Sequence, residues 1–440
     1  MNIYALSSGR GPSGIAIIRL SGKETIKIVE LISKKKNLNS KEVNFCKFYN
    51  PSNNTLIDEG LLLLFTAPNS FTGDDLAEFH IHGSNAVITL FLEVLSEQSN
   101  CRLAEAGEFT KIAFQNNKID LLEAESVGDL IHSETELQRQ QAIKLIQGNA
   151  SNYYNSLREK LVKSLAYIEA QIDFAEDDLP DNVLKEVQSS IKEVHDDIKT
   201  ILNDNKFGEK IREGFRVAII GEVNAGKSSL LNLLSKREAA IVSDEEGTTR
   251  DVIETYLNID GYPVILADTA GIREAKSEIE KKGISLALSA LQEADLNLIV
   301  IDNSSKSLSK QIQNLINANS IVVLNKSDID SNQKHNFKES VLISVKENKN
   351  IDELIKKIKN QLASKYTTSK NILVTRERHR IKLNHCLKEI DNFLQKDQKK
   401  DIEMAAEDLR LATRHLGGIV GKVDAEEILG SIFKNFCIGK

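Results

Sequence analysis

The chain has 440 residues, 41% of them hydrophobic, with a formal net charge of -7 and a sequence pI near 5.8. That length exceeds one ordinary core and suggests roughly three domains. The acidic balance excludes a global basic footprint, so any nucleic-acid contact has to come from a local patch. Cys46, Cys101, Cys386 and Cys437 are scattered without a CxxC pair, which indicates neither a zinc site nor a disulfide framework. The first fourteen residues lack a basic-then-apolar signal pattern, and no apolar run has the length to span a bilayer. The expectation is a cytoplasmic protein without membrane contact.

Residues 1–118 mix short apolar runs (15–20, 61–65) with turn clusters at 9–14 and 51–54, the pattern of an α+β or mainly β domain with one helix over 86–95. From Leu121 the spacing becomes helical. Leu157, Leu161, Leu165, Ile168 and Ile172 recur at steps of four and three, and Val187, Ile191, Val194, Ile198 and Ile201 repeat the rhythm, so residues 119–210 read as amphipathic helices packed on one another. Strand-like runs at 215–220, 264–267, 296–301, 321–324 and 341–344 then alternate with helical segments, which predicts a parallel α/β sheet over 211–367. Asp260 and Gly261 between two β-like runs predict a hairpin and an antiparallel edge strand. Over 368–440 helical spacing returns, with a stop expected at Gly417 and Gly418 and a last helix from an Asp424 N-cap with Glu427 at N3. The economical arrangement is a discontinuous all-α domain with the α/β domain inserted into it.

The eight residues GEVNAGKS at 221–228 follow the run FRVAII and precede Leu230, Leu231, Leu233 and Leu234. Strand, glycine loop, helix is the order in which this motif binds a nucleotide phosphate. Gly221 and Gly226 allow the tight turn, and the cradle runs through Asn224, Ala225, Gly226, Lys227, Ser228 and Ser229. Lys227 supplies a point charge and Ser228 a hydroxyl for Mg2+. Asn325, Lys326 and Asp328 (NKSD) follow a buried-strand run, where a carboxylate can accept two N–H donors from guanine and adenine offers no matching pair, which selects GTP over ATP. Asp268, Thr269, Ala270 and Gly271 (DTAG) put a carboxylate near the metal and a backbone N–H near the γ-phosphate. Gly247, Thr248 and Thr249, leading into Arg250 and Asp251, supply the switch threonine that completes the Mg2+ shell, with Thr249 as the ligand. Ser344, Val345 and Lys346 resemble the base-contacting loop of GTPases. His80 and His82 alternate along a strand at metal-ligand spacing, but without an evident third ligand they read as structural. The lysines at 34–36 and within 396–400 read as solvated faces.

Outside these motifs, Arg19, Ser21 and Gly22, the segment SFTGDDLAEFHIHG (70–83), the segment AGEFTKIAFQNNKIDLLEAE (106–125) and the ending CIGK (437–440) resemble the MnmE (TrmE) family of tRNA uridine modification GTPases over essentially the whole chain. The resemblance implies a K+-activated GTPase that works with an MnmG-like FAD protein in a heterotetramer. It also implies a homodimer formed through the N-terminal domain, and addition of a carboxymethylaminomethyl group to carbon 5 of the wobble uridine of certain tRNAs with a one-carbon tetrahydrofolate. It carries the folate pocket onto Arg19, Glu78, Lys118 and the terminal Lys440. Arg and Lys suit the glutamate carboxylates of a folate, and Glu the donors of its pterin; read alone, these residues are surface ion pairs.

Ile272 stands where small signalling GTPases hold the water-orienting glutamine, and the resemblance gives the catalytic role to Glu280. It assigns K+ to Asn224 with Ser243, Glu245 and Thr248, and nucleotide contacts to the loop Ser243, Asp244, Glu245, Glu246, Gly247, Thr248 and Thr249. That loop reads SDEEG, more acidic than the usual family loop. Arg250 reads as a structural pair within the switch. Cys437 beside Lys440 is either a thiolate for the chemistry on uridine or part of a positioned tail. A rival reading is a ribosome-assembly GTPase of the Era or Der type. Those carry a C-terminal RNA-binding domain or a second GTPase domain, whereas this chain repeats none of its GTPase motifs.

Overall fold

The structure is a computed structural model. It describes residues 1–440 apart from 10, 174–180, 223, 238–239, 242–253, 269–293, 306–309, 330–336, 338–339, 367–371, 398–399, 424–431, 433–435, 437–438 and 440. Two compact units are present: Met1–Gly128, Leu145–Glu159 and Thr413–Lys440 in the first, Asp129–Lys144 and Lys160–Ala412 in the second.

The first unit is built on six strands, β1 (Asn2–Leu6), β2 (Ser13–Ser21), β3 (Val43–Tyr49), β4 (Leu56–Phe65), β5 (Leu76–Gly83) and β6 (Cys101–Leu103). Their order is β3-β4-β5-β2-β1-β6, with only the β1–β6 pair parallel. Side chains alternate along a strand. Ile18 and Leu20 of β2 and Ala77, Phe79 and Ile81 of β5 therefore join one core, while Arg19, Glu78 and His80 are left half-buried outside it. The helices Thr25–Ser33 and Asn85–Ser96 cover that core through Ile28, Val29, Ile32, Phe91 and Leu95. Phe48, Phe79 and Phe91 meet there at centroid distances of 4.9 to 5.6 Å. Asn85–Ser96 is the expected helix, started by Ser84, whose hydroxyl accepts the Val87 N–H. Thr25–Ser33 was not expected, because nine residues are too few to set a 3.6-residue rhythm apart from a strand-like run.

The second unit holds β7 (Phe215–Gly221), β8 (Ala240–Ile241), β9 (Glu254–Ile259), β10 (Tyr262–Asp268), β11 (Leu296–Asp302), β12 (Ser320–Asn325) and β13 (Ser340–Leu342) in the order β13-β12-β11-β7-β10-β9-β8. The five strands from β13 to β10 are parallel. Both faces are covered: Val217, Ile219, Leu298 and Val300 pack with Leu230, Leu234 and Leu354 in one core, and Ala218, Ile220, Ile299 and Ile301 pack with Ile312 in the other. The hairpin lies at Asp260 (φ 49°) and Gly261 (φ 93°), the two positive φ values of a type I′ turn. The antiparallel strand it forms, β9, is not the edge, since β8 pairs beyond it. A two-residue strand gives no signal of its own in sequence.

The rhythms at 157–172 and 187–201 lie on the helices Asn149–Asp173 and Asp181–Leu202. Within the second unit, Asp181–Leu202 packs against Glu377–Gln395, with His195 Nε2 3.1 Å from Asp391. Helices from before and after the α/β sheet thus meet, and the sheet is an insertion between them. The expected stop at Gly417 and Gly418 is wrong. The helix Ile402–Val420 runs through both and ends at Gly421 (φ 81°), where the Lys422 N–H reaches back to the Gly417 carbonyl at 2.9 Å. Gly421 is required there: a Cβ would sit 2.8 Å from Leu121 Cβ and from the Phe114 ring. The helix expected from Asp424 lies outside the described residues.

Candidate GTP site

The carboxyl ends of β7, β10, β11 and β12 finish side by side, with Asp268 paired to Ile219, Gly221 to Val300, and Asp302 to Asn325. This edge of a parallel sheet is where such folds form a ligand crevice. Gly221 packs so close to β11 that a Cβ would fall 2.1 Å from the Val300 carbonyl oxygen. Asn224 (φ 63°) and Gly226 (φ 97°) then turn the loop through the left-handed region. The Leu230 N–H bonds the Gly226 carbonyl at 2.9 Å and starts the helix Lys227–Arg237. Lys227 Nζ folds over the loop, donating to the carbonyls of Gly221 at 2.9 Å and Glu222 at 2.8 Å. Asn224, Ser228 and Ser229 are exposed, and Ala225 is buried. Among the described residues, Ser228 and Asn224 are left open at the surface of the loop.

Asn325 is 3% exposed and acts as a staple. Its Nδ2 donates to the Ala225 carbonyl at 2.9 Å and its Oδ1 accepts the Val345 N–H at 3.1 Å. One side chain therefore ties the phosphate loop to the Ser344–Val345 turn, itself closed by paired bonds between Ser344 and Lys349. Asp328 Oδ1 accepts the Ser344 hydroxyl at 2.6 Å, and that bond, with its own backbone N–H and the nearby lysines, holds its carboxyl below the usual range. An acceptor that stays ionised suits the two guanine donors. Lys326 (φ 68°) pairs through Nζ with Asp302 Oδ2 at 2.6 Å. Asp302 belongs to none of the motifs, and its partner is 24 positions away in sequence. Its signal is only the acidic end of an apolar run.

Asp268 closes β10 as expected. Ser243, Asp244, Glu245, Glu246, Gly247, Thr248, Thr249, Thr269, Ala270, Gly271 and Glu280 lie outside the described residues, as do Cys437 and Lys440.

On the first unit's sheet, Arg19 and Glu78 are direct cross-strand partners. Arg19 sends Nε (3.1 Å) and Nη2 (2.7 Å) to the single oxygen Glu78 Oε1, leaving Oε2, among the described residues, a long contact of 3.8 Å to His80 Nε2. The two side chains are 15% and 19% exposed, so the pair is more sheltered than a surface bridge. The guanidinium also lies over the rings of Phe71 and Phe109, at 5.8 and 5.6 Å. Gly439 reaches the same place: its carbonyl accepts from Ser7 Oγ at 2.9 Å and stands 3.5 Å from Arg19 Nη1. Lys118 Nζ donates to the Pro68 carbonyl at 2.8 Å, in the loop that also holds Phe71. His82 pairs with Asp58 at 2.9 Å rather than with His80. Among the described residues no three His, Cys, Asp or Glu side chains converge as a metal site.

Residues 2–118 match the family model described as GTP-binding protein TrmE N-terminus, and residues 121–437 match the MnmE helical domain. Similar curated proteins include the tRNA modification GTPase MnmE of Pelagibacter ubique (strain HTCC1062), 56% identical over 443 residues and 100% of both chains. That of Rickettsia bellii (strain RML369-C) is 42% identical, over 100% of this chain and 99% of its own length. That of Rickettsia akari (strain Hartford) is 41% identical over the same shares. A nucleotide cradle with a guanine-type loop, set in a chain matched end to end by these proteins, leads to one conclusion: the chain belongs to the MnmE (TrmE) family of tRNA modification GTPases.

Proposed function

We propose that this GTPase is the K+-activated subunit of a complex that adds a carboxymethylaminomethyl group to carbon 5 of the wobble uridine of certain tRNAs. In this reading it draws a one-carbon unit from a tetrahydrofolate and works, as a homodimer, with an MnmG-like FAD protein. Residues 1–118 bind the folate and dimerise, 119–210 and 368–440 form the helical domain, and 211–367 hydrolyse GTP. The observation that carries the nucleotide half is Lys227, folded over the carbonyls of its own loop beside the exposed Ser228 and Asn224.

The loop N–H groups and Lys227 hold the phosphates, Asp328 takes the guanine edge, and Ser228 and Thr249 hold Mg2+. Asn224, Ser243, Glu245 and Thr248 hold K+. Held there, the two cations would supply charge neutralisation for the departing phosphates, a task otherwise met by an arginine. Thr269, Ala270 and Gly271 carry the γ-phosphate contact, and Ser243, Asp244, Glu245, Glu246 and Gly247 line the nucleotide. Glu280 orients and polarises the attacking water. For the folate half, support comes from Arg19 beside two aromatic rings and from the loosely held Glu78 Oε2, which can accept pterin donors. Lys118 and Lys440 attract the folate carboxylates, and Cys437, in the same CIGK ending as Lys440, is the candidate group for chemistry on uridine.

Turnover in KCl should exceed that in NaCl by at least about tenfold, given the size of the effect a cation can supply there. Glu280→Ala should lose turnover yet keep its GDP affinity. Equal rates in the two salts would remove K+ from the mechanism, and undiminished turnover by the variant would remove Glu280. Loss of the modified wobble uridine on deleting the gene, read by nucleoside analysis of tRNA, tests the substrate.

A further inference from the structure

We propose that Asp302 is a positioning residue for guanine recognition, acting through Lys326. The inference rests on the reading of Asn325, Lys326 and Asp328 as the guanine site, and it adds a residue from a different strand. Asp302 ends β11 exactly beside Asn325, its register partner at the end of β12, and the Asn303 N–H donates to the Asn325 carbonyl at 2.8 Å. Both carboxylate oxygens of Asp302 are committed. Oδ1 accepts the Ser304 N–H at 2.9 Å and the Ser304 hydroxyl at 2.6 Å, which fixes the carboxylate on its own turn. Oδ2 then takes Lys326 Nζ at 2.6 Å.

Lys326 is an unusual residue to hold in this way. It adopts φ 68°, a region that non-glycine residues enter only when their surroundings hold them there. Its neighbour on one side, Asn325, is locked to the phosphate loop, and two positions on stands Asp328, the base acceptor. Lys326 is thus held at its left-handed backbone and, through its ammonium, at Asp302, and in this proposal its four-carbon stem is the strip on which the base packs. An untethered lysine has large rotamer freedom that would be lost when a base packs on its stem. The tether removes that freedom before the nucleotide arrives, so its benefit belongs to binding rather than to cleavage of the phosphate bond.

The test uses the full chain, with GDP titrations and steady-state GTP hydrolysis. Asp302→Asn should raise the Kd for GDP and the KM for GTP by about tenfold, while kcat changes by less than about threefold. Asp302→Glu, which keeps the charge, should recover most of the affinity. In a cycle with Lys326→Gln the two losses should not add, because they remove the same tether. Should Asp302→Asn fail to fold, Ser304→Ala loosens the carboxylate without changing charge and should raise the Kd about threefold. Asp328→Asn is the control for the site itself. If it abolishes GDP binding while Asp302→Asn stays within about twofold of the parent, or if the Asp302 and Lys326 losses add in full, Asp302 has no positioning role and the guanine site stands. If neither Asp328→Asn nor Asp302→Asn weakens GDP binding, the guanine-site reading falls with it.

Discussion

Gly226 illustrates how little room the cradle has. An added Cβ would lie 2.2 Å from Asn325 Nδ2, at a φ of 97° that side chains avoid, so Gly226→Ala has to displace the staple between Asn325 and Ala225. GDP affinity should fall on the order of 100-fold, the sum of a lost buried hydrogen bond and backbone strain; parent-like affinity would contradict the geometry. Asp328 sets a pH signature. In the proposed guanine site its ionised form accepts the base, and its carboxyl is held low, first by the Ser344 hydroxyl. A depressed carboxylate keeps its charge above its ordinary value and loses it only as pH drops through the lowered one. GDP binding should therefore be flat from about pH 8 down to about pH 5, and Ser344→Ala should move the acid limb upward. Weakening already between about pH 7 and 6 would show that another group controls binding. At this scale the sequence was legible in its local order: the spacing of Gly221, Gly226, Lys227 and Ser228 predicts strand, tight loop and helix, and β7, the left-handed turn at Asn224 and Gly226 and the helix Lys227–Arg237 follow in that order. It was silent on Asp302, whose role exists only because two strands bring positions 24 apart into register.

The elements divide in the same way. The Asp260–Gly261 hairpin could be read directly, because its turn demands two positive φ values that these residues tolerate. The end of the helix Ile402–Val420 could not be, because glycines at 417, 418 and 421 all carry the same local signal. Contact with Phe114 and Leu121 decides among them. A second element-level feature closes the insertion. Arg380, at the start of the helix Glu377–Gln395, donates to the Leu202 carbonyl at 3.0 Å and pairs with Asp204 at 2.7 Å and Glu209 at 2.6 Å, all on the segment entering the sheet. Burial works against its charge, yet the two carboxylates raise its already high pKa further. The side chains of Arg380, Asp204 and Glu209 are 12%, 11% and 7% exposed, so Arg380→Ala would strand two sheltered carboxylates. A loss of about 3 to 5 kcal/mol is expected in denaturant unfolding. A loss under about 1 kcal/mol would mean that the clasp does not hold the neck of the insertion.

For the whole molecule, the net charge of -7 gives tRNA no general attraction, so recognition depends on local groups or on a partner. Among the described residues no helix is long and apolar enough to cross a membrane. Membership in a tRNA modification family over the full length favours that role over ribosome assembly, with nucleotide state as its proposed input. Everything built on that input requires the crevice at the ends of β7, β10, β11 and β12 to take guanine nucleotides and refuse adenine ones. Calorimetric titration of the intact chain with GDP and, separately, ADP in Mg2+ tests this most directly. Saturable one-site heat with GDP and none with ADP is the predicted result; no heat with GDP, or equal affinity for both, would contradict it.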